Sequence, residues 1–426
     1  MTTISKTIHR IASERFAIKR LKRWLPPNVS QVIKVLHKAG GQAFLVGGAV
    51  RDVFLGRRTN DWDIATNLLP SQVASLFSKV VRAGEKHGTI MVIIDGEPIE
   101  VTTFRRDGAY LDQRRPAAVE FHTNINEDLT RRDFTINAIA ADLINERIID
   151  PFAGVADLRK GVVRCVGDPS TRFNEDGLRI LRAVRFAGVL SFRIEKTTRA
   201  AIPKAINTFL AVSWERKRDE MSRLLAAAPF FSACIRELWH TGLLKELAPE
   251  LMTIQPTRLK AIDNIKANQP WQRFTAWAML ANLTPNIAGE ILRRWRAGNQ
   301  VIREVEQNLK ALNLLTDNSP PKGYSLRCWL SQIDAATAKT SAKIAACIWH
   351  SYHEFPRRTQ RAINRNLPLK ISQLAITGND LVAAGFVGRE VGETLTQILE
   401  FVIKHPQLNK RNQLITFAHR LSTGKT

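Results

Sequence analysis

The chain has 426 residues, more than one hydrophobic core organises, so two to four domains are expected. No run approaches the roughly 18 consecutive apolar residues of a membrane-spanning helix, which argues against an integral membrane protein. Lys and Arg outnumber Asp and Glu by 63 to 39, which gives a formal net charge of +24 and a sequence pI near 10.4. This excess indicates a polyanionic partner, with nucleic acid as the first candidate and a membrane surface as the second.

The four cysteines are widely separated and form no Cys-x-x-Cys pair. Neither a zinc site nor a disulfide framework is therefore predicted, and a reducing, cytoplasmic environment is expected. Residues 1–29 are interpreted as a basic N-terminal extension, which lacks the apolar stretch of a secretory signal, whereas an organellar transit peptide stays open. Ser30 is expected to cap a helix that ends at Gly40 and Gly41.

The segment from Leu45 to Asn67 predicts a short strand, a Gly-Gly turn into a helix, and a second strand. Asp61 and Asp63 on the second strand would project to the same face, because successive strand side chains alternate. Two carboxylates that close need a cation, and Mg²⁺ binds through one or two carboxylates together with substrate phosphates. Taken alone, an Asp-x-Asp pair is usually a solvated strand edge.

The turn before the helix supplies the complementary half of such a site. Gly47 and Gly48 let the backbone approach a phosphate, and the helix N-terminus directs amide groups towards it. Arg51, one helical turn further along, adds a guanidinium suited to phosphate oxygens. A Gly-Gly pair alone usually marks only a turn. Combined with the two carboxylates, the segment predicts a nucleoside triphosphate site with metal-assisted phosphoryl chemistry.

A helix is expected over residues 71–80, and Asp95-Gly96 is a strong hairpin signal between two further strands. On the return strand, Glu100 has two apolar neighbours, whose side chains would face the opposite side. Glu100 is the candidate third carboxylate, because a two-metal site needs a further acid for the ion that activates the attacking hydroxyl. An ordinary solvent-facing strand residue is the alternative.

Residues 105–124 carry Gly, Pro and many charges with little apolar periodicity, which predicts a mobile loop. Arg132 and Asp133 then form a polar cluster directly before an apolar helical run, where the simple expectation is charges that lie in water. The β content is expected to stop at Val166, and the pattern is helical from there to the end of the chain.

The stretch RFNEDGLRILRAVRFAGVL places Asp176 and Arg179 three residues apart, which predicts one shared helical face, and Arg182 and Arg185 continue that row. The simple alternative is an i,i+4 ion pair from Glu175 to Arg179 on a solvated helix. Beyond about residue 230, the sequence predicts amphipathic helices whose leucines and tryptophans form a core. Basic stretches there, such as FPRRTQRAINR, either follow RNA phosphates or form solvated faces.

Ordered motifs over roughly residues 40 to 225 resemble the class II tRNA nucleotidyltransferase and bacterial poly(A) polymerase family, within the polymerase-beta-like nucleotidyltransferases. They include GGAVRDVFLG, DWDIATN, RRDFTINA and NEDGLR. The resemblance implies an α+β fold: a polymerase-beta-like head with a small mixed β-sheet and helices, then an all-α neck, body and tail. The expected domains are the extension (1–29), the catalytic head (30–167), the neck (168–230), the body (231–330) and a tRNA-binding tail (331–426).

The resemblance also implies roles for the residues of the first motifs. Asp61 and Asp63 would bind two Mg²⁺ ions and, with Glu100, activate the primer 3′-hydroxyl for in-line attack on the α-phosphate. Arg51 and the backbone near Gly48 would hold the triphosphate.

Further nucleotide contacts follow from the later motifs in the same way. Arg132 and Asp133 would contact the ribose, where a carboxylate that accepts from a 2′-hydroxyl distinguishes ribonucleotides from deoxyribonucleotides. Asp176 and Arg179 would act as a protein template that pairs with cytosine and adenine. Arg182 and Arg185 would lie towards the triphosphate. The stretch with Arg216 and Glu220 is similar to the family's next motif, which is expected to brace the helix that carries Asp176 and Arg179.

The resemblance predicts a template-independent enzyme that adds CCA to the 3′ end of tRNA with CTP and ATP and releases pyrophosphate. Tyr110, Asp112 and Arg115-Pro116 fit the family's loop for addition of the terminal adenosine, which argues against an enzyme that adds only cytidines. A bacterial poly(A) polymerase, a dedicated A-adding tRNA enzyme and a non-catalytic RNA-binding protein are the alternatives. No membrane partner is expected, and the oligomeric state stays open.

Overall fold

A computed structural model of the protein describes residues 11–107, 119–266, 268–315 and 319–422. The chain forms two compact units, Met1–Leu247 and Ala248–Thr426. The first combines a mixed β-sheet with helices, whereas the described residues of the second contain helices and no strand. The α+β fold class is therefore confirmed.

Eleven strands lie in the described part of the first unit. They are β1 (Ala43–Val46), β2 (Asp63–Thr66), β3 (Val80–Val81), β4 (Thr89–Ile94), β5 (Glu97–Thr103), β6 (Arg105–Asp107), β7 (Val119–Phe121), β8 (Ala140–Asp142), β9 (Arg147–Ile149), β10 (Val162–Val163) and β11 (Arg193–Ile194). Seven form the main sheet in the order β3-β4-β5-β2-β1-β8-β9. Neighbours in it are antiparallel except β2 and β5, which are parallel, so the sheet is mixed as predicted.

The helices of the first unit accompany the strands of this sheet and predominate in the chain after them. They are α1 (Glu14–Trp24), α2 (Pro27–Lys38), α3 (Gly48–Phe54), α4 (Pro70–Ser75), α5 (Ile125–Thr130), α6 (Gly154–Lys160), α7 (Pro169–Glu175), α8 (Leu178–Leu190), α9 (Lys196–Ala201), α10 (Ile206–Leu210), α11 (Trp214–Ala227), α12 (Phe231–His240) and α13 (Leu243–Leu247). Short 3₁₀ turns lie at Glu85–His87, Thr135–Asn137 and Pro203–Ala205. From α7 onward, helices dominate, as expected for a neck.

The segment interpreted as an extension belongs to the fold from residue 11 onward. Helix α1 contacts α3 and β9. Its buried side chains recur on one helical face, at Ala17, Ile18 and Leu21. Nη1 of Arg20 also donates to the carbonyl oxygen of Val53 at 2.8 Å. The basic side chains of α1 therefore lie on a helix that is fixed to the head.

Two helix boundaries differ from the predicted ones. α2 begins at Pro27 rather than after Ser30, because a proline in the first turn has a preset φ and loses no helical hydrogen bond. α4 ends at Ser75 rather than at residue 80. Val80 instead pairs with β4, so the apolar residues there belong to a strand.

The predicted hairpin is confirmed between β4 and β5. Asp95 and Gly96 have φ values of +51° and +82°, which are those of a type I′ turn whose twist matches the flanking strands. On β5, Ile99 and Val101 are buried while Glu100 is exposed. The predicted alternation around Glu100 is therefore correct.

Two further expectations about β structure need correction. The predicted loop at 105–124 has strands at both ends, because β6 and β7 pair antiparallel. The β content also continues beyond Val166: α8 ends at Leu190, Ser191 follows it with a φ of +59°, and β11 then pairs with β10. Other residues predicted in this loop lie outside the described residues: Tyr110, Asp112, Arg115 and Pro116.

The second unit is built from α14 (Pro270–Leu280), α15 (Pro285–Arg294), α16 (Asn299–Asn313), α17 (Gly323–Ser331), α18 (Ala335–Ile348), α19 (Phe355–Asn364), α20 (Gly378–Ala383), α21 (Arg389–Lys404) and α22 (Arg411–Ser422). Short 3₁₀ turns lie at Pro249–Thr253, Pro256–Asn264, His350–Tyr352, Ile371–Gln373 and Pro406–Leu408. A division at residue 330, as predicted between body and tail, would cut α17. Within the described ranges, no helix is long and apolar enough to span a membrane.

Leucines and tryptophans predicted to form the core of the helical region are buried in the two units. They are Leu238, Leu243, Leu244, Leu247, Leu251, Trp277 and Trp295. Trp295 also packs edge-on against Phe274, with ring centres 5.5 Å apart. These aromatic residues therefore act in packing.

Candidate active site

The predicted carboxylates meet where β2 and β5 run side by side. Asp63 opens β2, and the next residue, Ile64, pairs with Val101 of β5. This parallel register places Asp63 beside Glu100, on the face opposite to Ile64 and Val101. The prediction that Asp61 lies on this strand is wrong, because β2 begins only at Asp63; Asp61 precedes it and is exposed. The pKa of Asp63 is raised from 3.8 to about 6, first by burial and then by the charges of Asp61 and Glu100.

This concentration of negative charge suits a divalent cation. Among the residues that the structure describes, no three Asp, Glu, His or Cys side chains are arranged to hold a metal ion by themselves. Asp61 and Asp63 therefore fit an ion that binds through two carboxylates and takes its other ligands from water and substrate phosphates. Hard oxygen donors of this kind are those that Mg²⁺ uses.

Gly47 allows the backbone to turn next to the carboxylates. Its φ and ψ are +71° and −129°, a conformation that favours glycine. A Cβ at this position would lie 2.9 Å from Nη1 of Arg132 and 3.7 Å from Oδ2 of Asp63. The glycine is thus required by the backbone and by the close approach of Arg132. Gly48 follows and begins α3, as predicted.

Arg51 points into the site but is already engaged. Its Nε and Nη2 donate to the two carboxylate oxygens of Asp52 at 2.9 and 3.0 Å, and Nη1 donates to Oδ1 of Asn137 at 2.7 Å. A triphosphate bound by Arg51 would share or displace these partners. Sequence reasoning assigned no role to Asn137, although it belongs to the quoted motif RRDFTINA.

Asp128, a buried acid that sequence reasoning missed, binds Arg131 and Arg132. Oδ1 of Asp128 accepts from Nε and Nη2 of Arg131 at 2.9 and 2.8 Å, and Oδ2 accepts from Nη2 of Arg132 at 3.2 Å. Burial would raise the pKa of Asp128, but the charges of Arg131 and Arg132 outweigh it and lower the pKa. The signal in the sequence was an acid three and four residues before two arginines.

Asp133 is buried, and both of its carboxylate oxygens are occupied. Oδ1 accepts from Nδ2 of Asn137 at 3.1 Å, and Oδ2 accepts from Nε and Nη2 of Arg182 at 2.8 and 2.6 Å. Burial alone would raise the pKa of Asp133, but the charge of Arg182 and these hydrogen bonds lower it to about 2. Asp133 is therefore ionised at neutral pH and ties the head to α8.

Glu220 joins the two arginines that were expected towards the triphosphate. It accepts from Nε of Arg185 through Oε2, and Oε1 lies 3.5 Å from Nη1 of Arg182. Burial lowers the pKa of Arg185, whereas the charges of Asp133 and Glu220 outweigh burial at Arg182 and raise its pKa. Glu220, which was expected to brace this helix, is therefore a buried carboxylate between Arg182 and Arg185.

Asp176 and Arg179 do not share a helical face, contrary to the prediction. α7 ends at Glu175 and α8 begins at Leu178, so Asp176 lies in the break with an extended backbone. Its Oδ1 accepts from the backbone N–H of Leu178 at 3.0 Å, which stabilises the start of α8. Both carboxylate oxygens also accept from Arg216, at 3.1 and 2.7 Å.

Arg179 forms the simpler ion pair that the sequence allowed, with Glu175. It also donates to the carbonyl oxygens of Arg172 and Arg131, at 3.0 and 3.2 Å, and only 8% of its surface is exposed. Both members of the predicted template pair are therefore held by partners within the protein.

Phe186 contacts three arginines of the site. The guanidinium carbons of Arg185, Arg51 and Arg182 lie 4.0, 5.1 and 5.3 Å from the centre of its ring. Cation–π contacts of this kind favour a fixed position for each guanidinium. The ring therefore connects α3 of the head with α8, a role that sequence reasoning missed although Phe186 follows Arg185 in a quoted motif.

Family models match three successive parts of the chain. The model described as "Poly A polymerase head domain" matches residues 43–164, "Probable RNA and SrmB- binding site of polymerase A" matches 191–254, and a tRNA nucleotidyltransferase domain 2 matches 266–418. A CCA-adding enzyme of Geobacillus kaustophilus is 37% identical over 393 residues, which cover 90% of this chain and 94% of that enzyme. The chain belongs to the CCA-adding enzyme family.

Other CCA-adding enzymes are similar over comparable lengths. The enzyme of Lactobacillus helveticus is 35% identical over 384 residues, covering 87% of this chain and 91% of that protein. The crystal structure of the Bacillus stearothermophilus CCA-adding enzyme in complex with CTP has 30% identity and a TM-score of 0.75, and covers 94% of this chain and 99% of that chain. The family predicted from the motifs is therefore confirmed, and with it a nucleotidyltransferase rather than a non-catalytic RNA-binding protein.

Proposed function

We propose that the chain adds two cytidines and one adenosine to the 3′ end of tRNA, using CTP and ATP and releasing pyrophosphate, in the cytoplasm. The observation that carries this proposal is the match to CCA-adding enzymes over about nine-tenths of the chain. The arrangement of the site supports it, because three carboxylates and a set of partly buried arginines converge in the first unit. Carboxylates for a metal and cations for phosphates are the groups that nucleotidyl transfer requires.

Mg²⁺ is the ion that we assign to Asp61 and Asp63, where it would polarise the reacting phosphate and favour the ionised primer hydroxyl. Glu100 adds a third negative charge on the same face of the sheet. Gly47 lets the backbone turn beside Asp63 and Arg132, and Arg51 supplies donors for phosphate oxygens. These residues would orient the α-phosphate for in-line attack.

We further propose that the sugar and base are selected by residues that change partners on nucleotide binding. Asp133 would accept from a ribose 2′-hydroxyl, with its charge maintained by Arg182. Asp176 and Arg179 would exchange their contacts with Arg216 and Glu175 for the pairing edge of cytosine or adenine. The internal ion pairs thus keep both groups charged and oriented before the nucleotide arrives.

The first test is incorporation of labelled CTP or ATP, with Mg²⁺, into two primers: a tRNA that lacks its 3′ CCA and a generic oligo(A). We expect two cytidines and one adenosine on the tRNA, followed by a stop, and no extension of oligo(A). A long adenosine tail on either primer would identify a poly(A) polymerase. Adenosine added only to a tRNA that already ends in CC would identify a dedicated A-adding enzyme.

For the tRNA itself, we propose a contact in the second unit. A cleft of about 320 Å³ lies between α17 and α19 and is lined by Arg327, Arg358, Arg361 and Arg365. Nη1 of Arg358 is buried and has no hydrogen-bond partner in the described structure. A buried guanidinium nitrogen beside other arginines favours an anion, and RNA phosphates are the anions that the substrate provides.

Replacing Arg361 with Gln is expected to weaken tRNA binding about threefold to tenfold and to reduce the salt dependence of binding by about one phosphate contact. The KM for CTP should stay unchanged. Arg357→Gln is the matched control, since Arg357 lies on the same helix, is 77% exposed and does not line the cleft. Equal effects of the two substitutions in a filter-binding titration would contradict a phosphate site in this cleft.

A further inference from the structure

A cavity of about 310 Å³ lies at the edge of the head, apart from the site described above. It forms where the end of α1, the start of α2, the segment before β2 and the start of β5 meet. Among its lining residues are two indoles, a guanidinium and two amides: Trp24, Trp62, Arg58, Asn28 and Asn60. Its volume is at the lower end of that of small-molecule sites.

Some polar groups of this cavity have partners within the protein: Oδ1 of Asn28 accepts from the backbone N–H of Val29, and the hydroxyl of Thr59 hydrogen-bonds with the backbone of Asp61. Across the described ranges, the side chains of Arg58 and Asn60 form no hydrogen bond or ion pair with another residue, and both are exposed. Arg58 contacts the ring of Trp24, with its guanidinium carbon 5.5 Å from the ring centre. Planar groups with free donors are suited to stack on a nucleobase and to bind phosphate or base edges.

The position of the cavity indicates what kind of ligand reaches it. Asn60 directly precedes Asp61, so the cavity begins next to the catalytic segment. Ile99 also lines the cavity, and its side chain lies on the face of β5 opposite to Glu100. A ligand that occupies both the cavity and the carboxylate site must therefore pass around the starting ends of the central strands β2 and β5, which suits a polymer better than a single nucleotide.

The wall supplied by α1 lies outside the matched domains, since the head-domain match begins only at residue 43. The sequence of α1, ERFAIKRLKRW, contains five Lys or Arg residues and one Glu. Because α1 is fixed to the head by its buried face and by Arg20, these charges have a defined position beside the cavity. A polyanion would be attracted to this side of the head.

We propose that this cavity binds one nucleotide of the RNA substrate upstream of its 3′ end. The base stacks on the guanidinium of Arg58, which lies over the Trp24 ring together with Arg20 and is held there by it, and the amides of Asn28 and Asn60 bind base edges or the backbone. This inference presupposes the proposed function, in which an RNA 3′ end is held at Asp61 and Asp63. It adds a part of the RNA path that the N-terminal helix α1 completes.

The test measures CTP incorporation into a tRNA that lacks CCA, with Trp24→Leu and Arg58→Gln as separate variants of the full chain. We expect each to raise the KM for the RNA about tenfold, since stacking on one side chain contributes about that much, while the KM for CTP and the melting temperature stay unchanged. Arg57→Gln is the matched control, because Arg57 is exposed and directly precedes Arg58 but does not line the cavity.

A second readout does not depend on kinetics. RNA that carries 4-thiouridine near its 3′ end should crosslink to peptides containing residues 24–28, which belong to the cavity and not to the catalytic segment. Active wild-type enzyme with unchanged KM values in both variants, or crosslinks confined to other peptides, would overturn the proposal while leaving the proposed function intact. A change in the KM for CTP alone would also overturn it, because the cavity would then bind a free nucleotide. An inactive wild-type enzyme would instead contradict the proposed function.

Discussion

Replacing Asp63 with Asn is expected to reduce nucleotide incorporation by about a thousandfold and, at the same time, to stabilise the metal-free protein by about 2 kcal/mol near pH 7.5. The loss follows because one of the two carboxylates assigned to the metal disappears. The gain follows because the same carboxylate is held half-buried beside Asp61 and Glu100. Function and stability therefore oppose each other at this residue.

The stability gain should depend on pH in a defined direction. In the folded protein the pKa of Asp63 is about 6, above its ordinary value of 3.8. The folded state therefore holds this proton more tightly than the unfolded state, and stability is lost as the pH rises from about 4 to about 6. Above about pH 6, the full cost of the ionised group is present, and Asn removes it. Below about pH 4, the variant and the wild type should be equally stable.

Denaturant unfolding in the presence of a chelator, at several pH values, measures this difference. Asp95→Asn is a suitable control, because Asp95 lies in the β4–β5 turn and Asn tolerates its positive φ. That variant should keep its activity and its stability. A variant at Asp63 that retains activity, or that gains no stability without metal, would show that the three carboxylates do not act as one cluster.

Replacing Glu220 with Gln is expected to destabilise the first unit by about 3 kcal/mol. The side chain of Glu220 is only 4% exposed and lies between Arg182 and Arg185, whose side chains are 29% and 11% exposed. Removing the negative charge leaves two poorly solvated cations without their common partner. A loss of this size corresponds to a melting temperature lowered by roughly 6 to 12 °C.

Activity should fall with stability at Glu220, because Arg182 also orients Asp133, the proposed ribose contact. Arg223→Ala is the matched control: Arg223 is 65% exposed and lies 3.4 Å from Glu220 on the same helix. An exposed pair of this kind contributes about 0.2 to 1 kcal/mol. Calorimetry on the two variants should therefore show clearly different shifts, and similar shifts would mean that Glu220 does not stabilise Arg182 and Arg185.

Several features of the site were predictable because they depend on neighbouring residues in the chain. Strand alternation correctly predicted that Glu100 faces away from its apolar neighbours, Ile99 and Val101. The turn at Gly47 and the hairpin at Asp95 follow from residue types that tolerate positive φ. The resemblance of the ordered motifs added the family, which the comparisons confirm.

Helix boundaries were less predictable where periodicity was the only guide. The row from Asp176 to Arg179 has the spacing of a helical face, yet the helix breaks between them. Spacing along the chain does not reveal this break. It accompanies the hydrogen bonds that Asp176 accepts from the backbone N–H of Leu178 and from Arg216, which is 40 residues away.

The positions of Asp63 and Glu100 on strands, the glycine turn and the family followed from the sequence alone. Only the tertiary structure decided which charges pair: Asp128 with two arginines, Glu220 with Arg182 and Arg185, and Asp176 with Arg216. The physical reason is that a buried charge needs a partner wherever the fold brings one close, and proximity in space does not follow from separation along the chain. The same reason applies to α1, whose basic sequence did not reveal that it completes a cavity beside the catalytic segment.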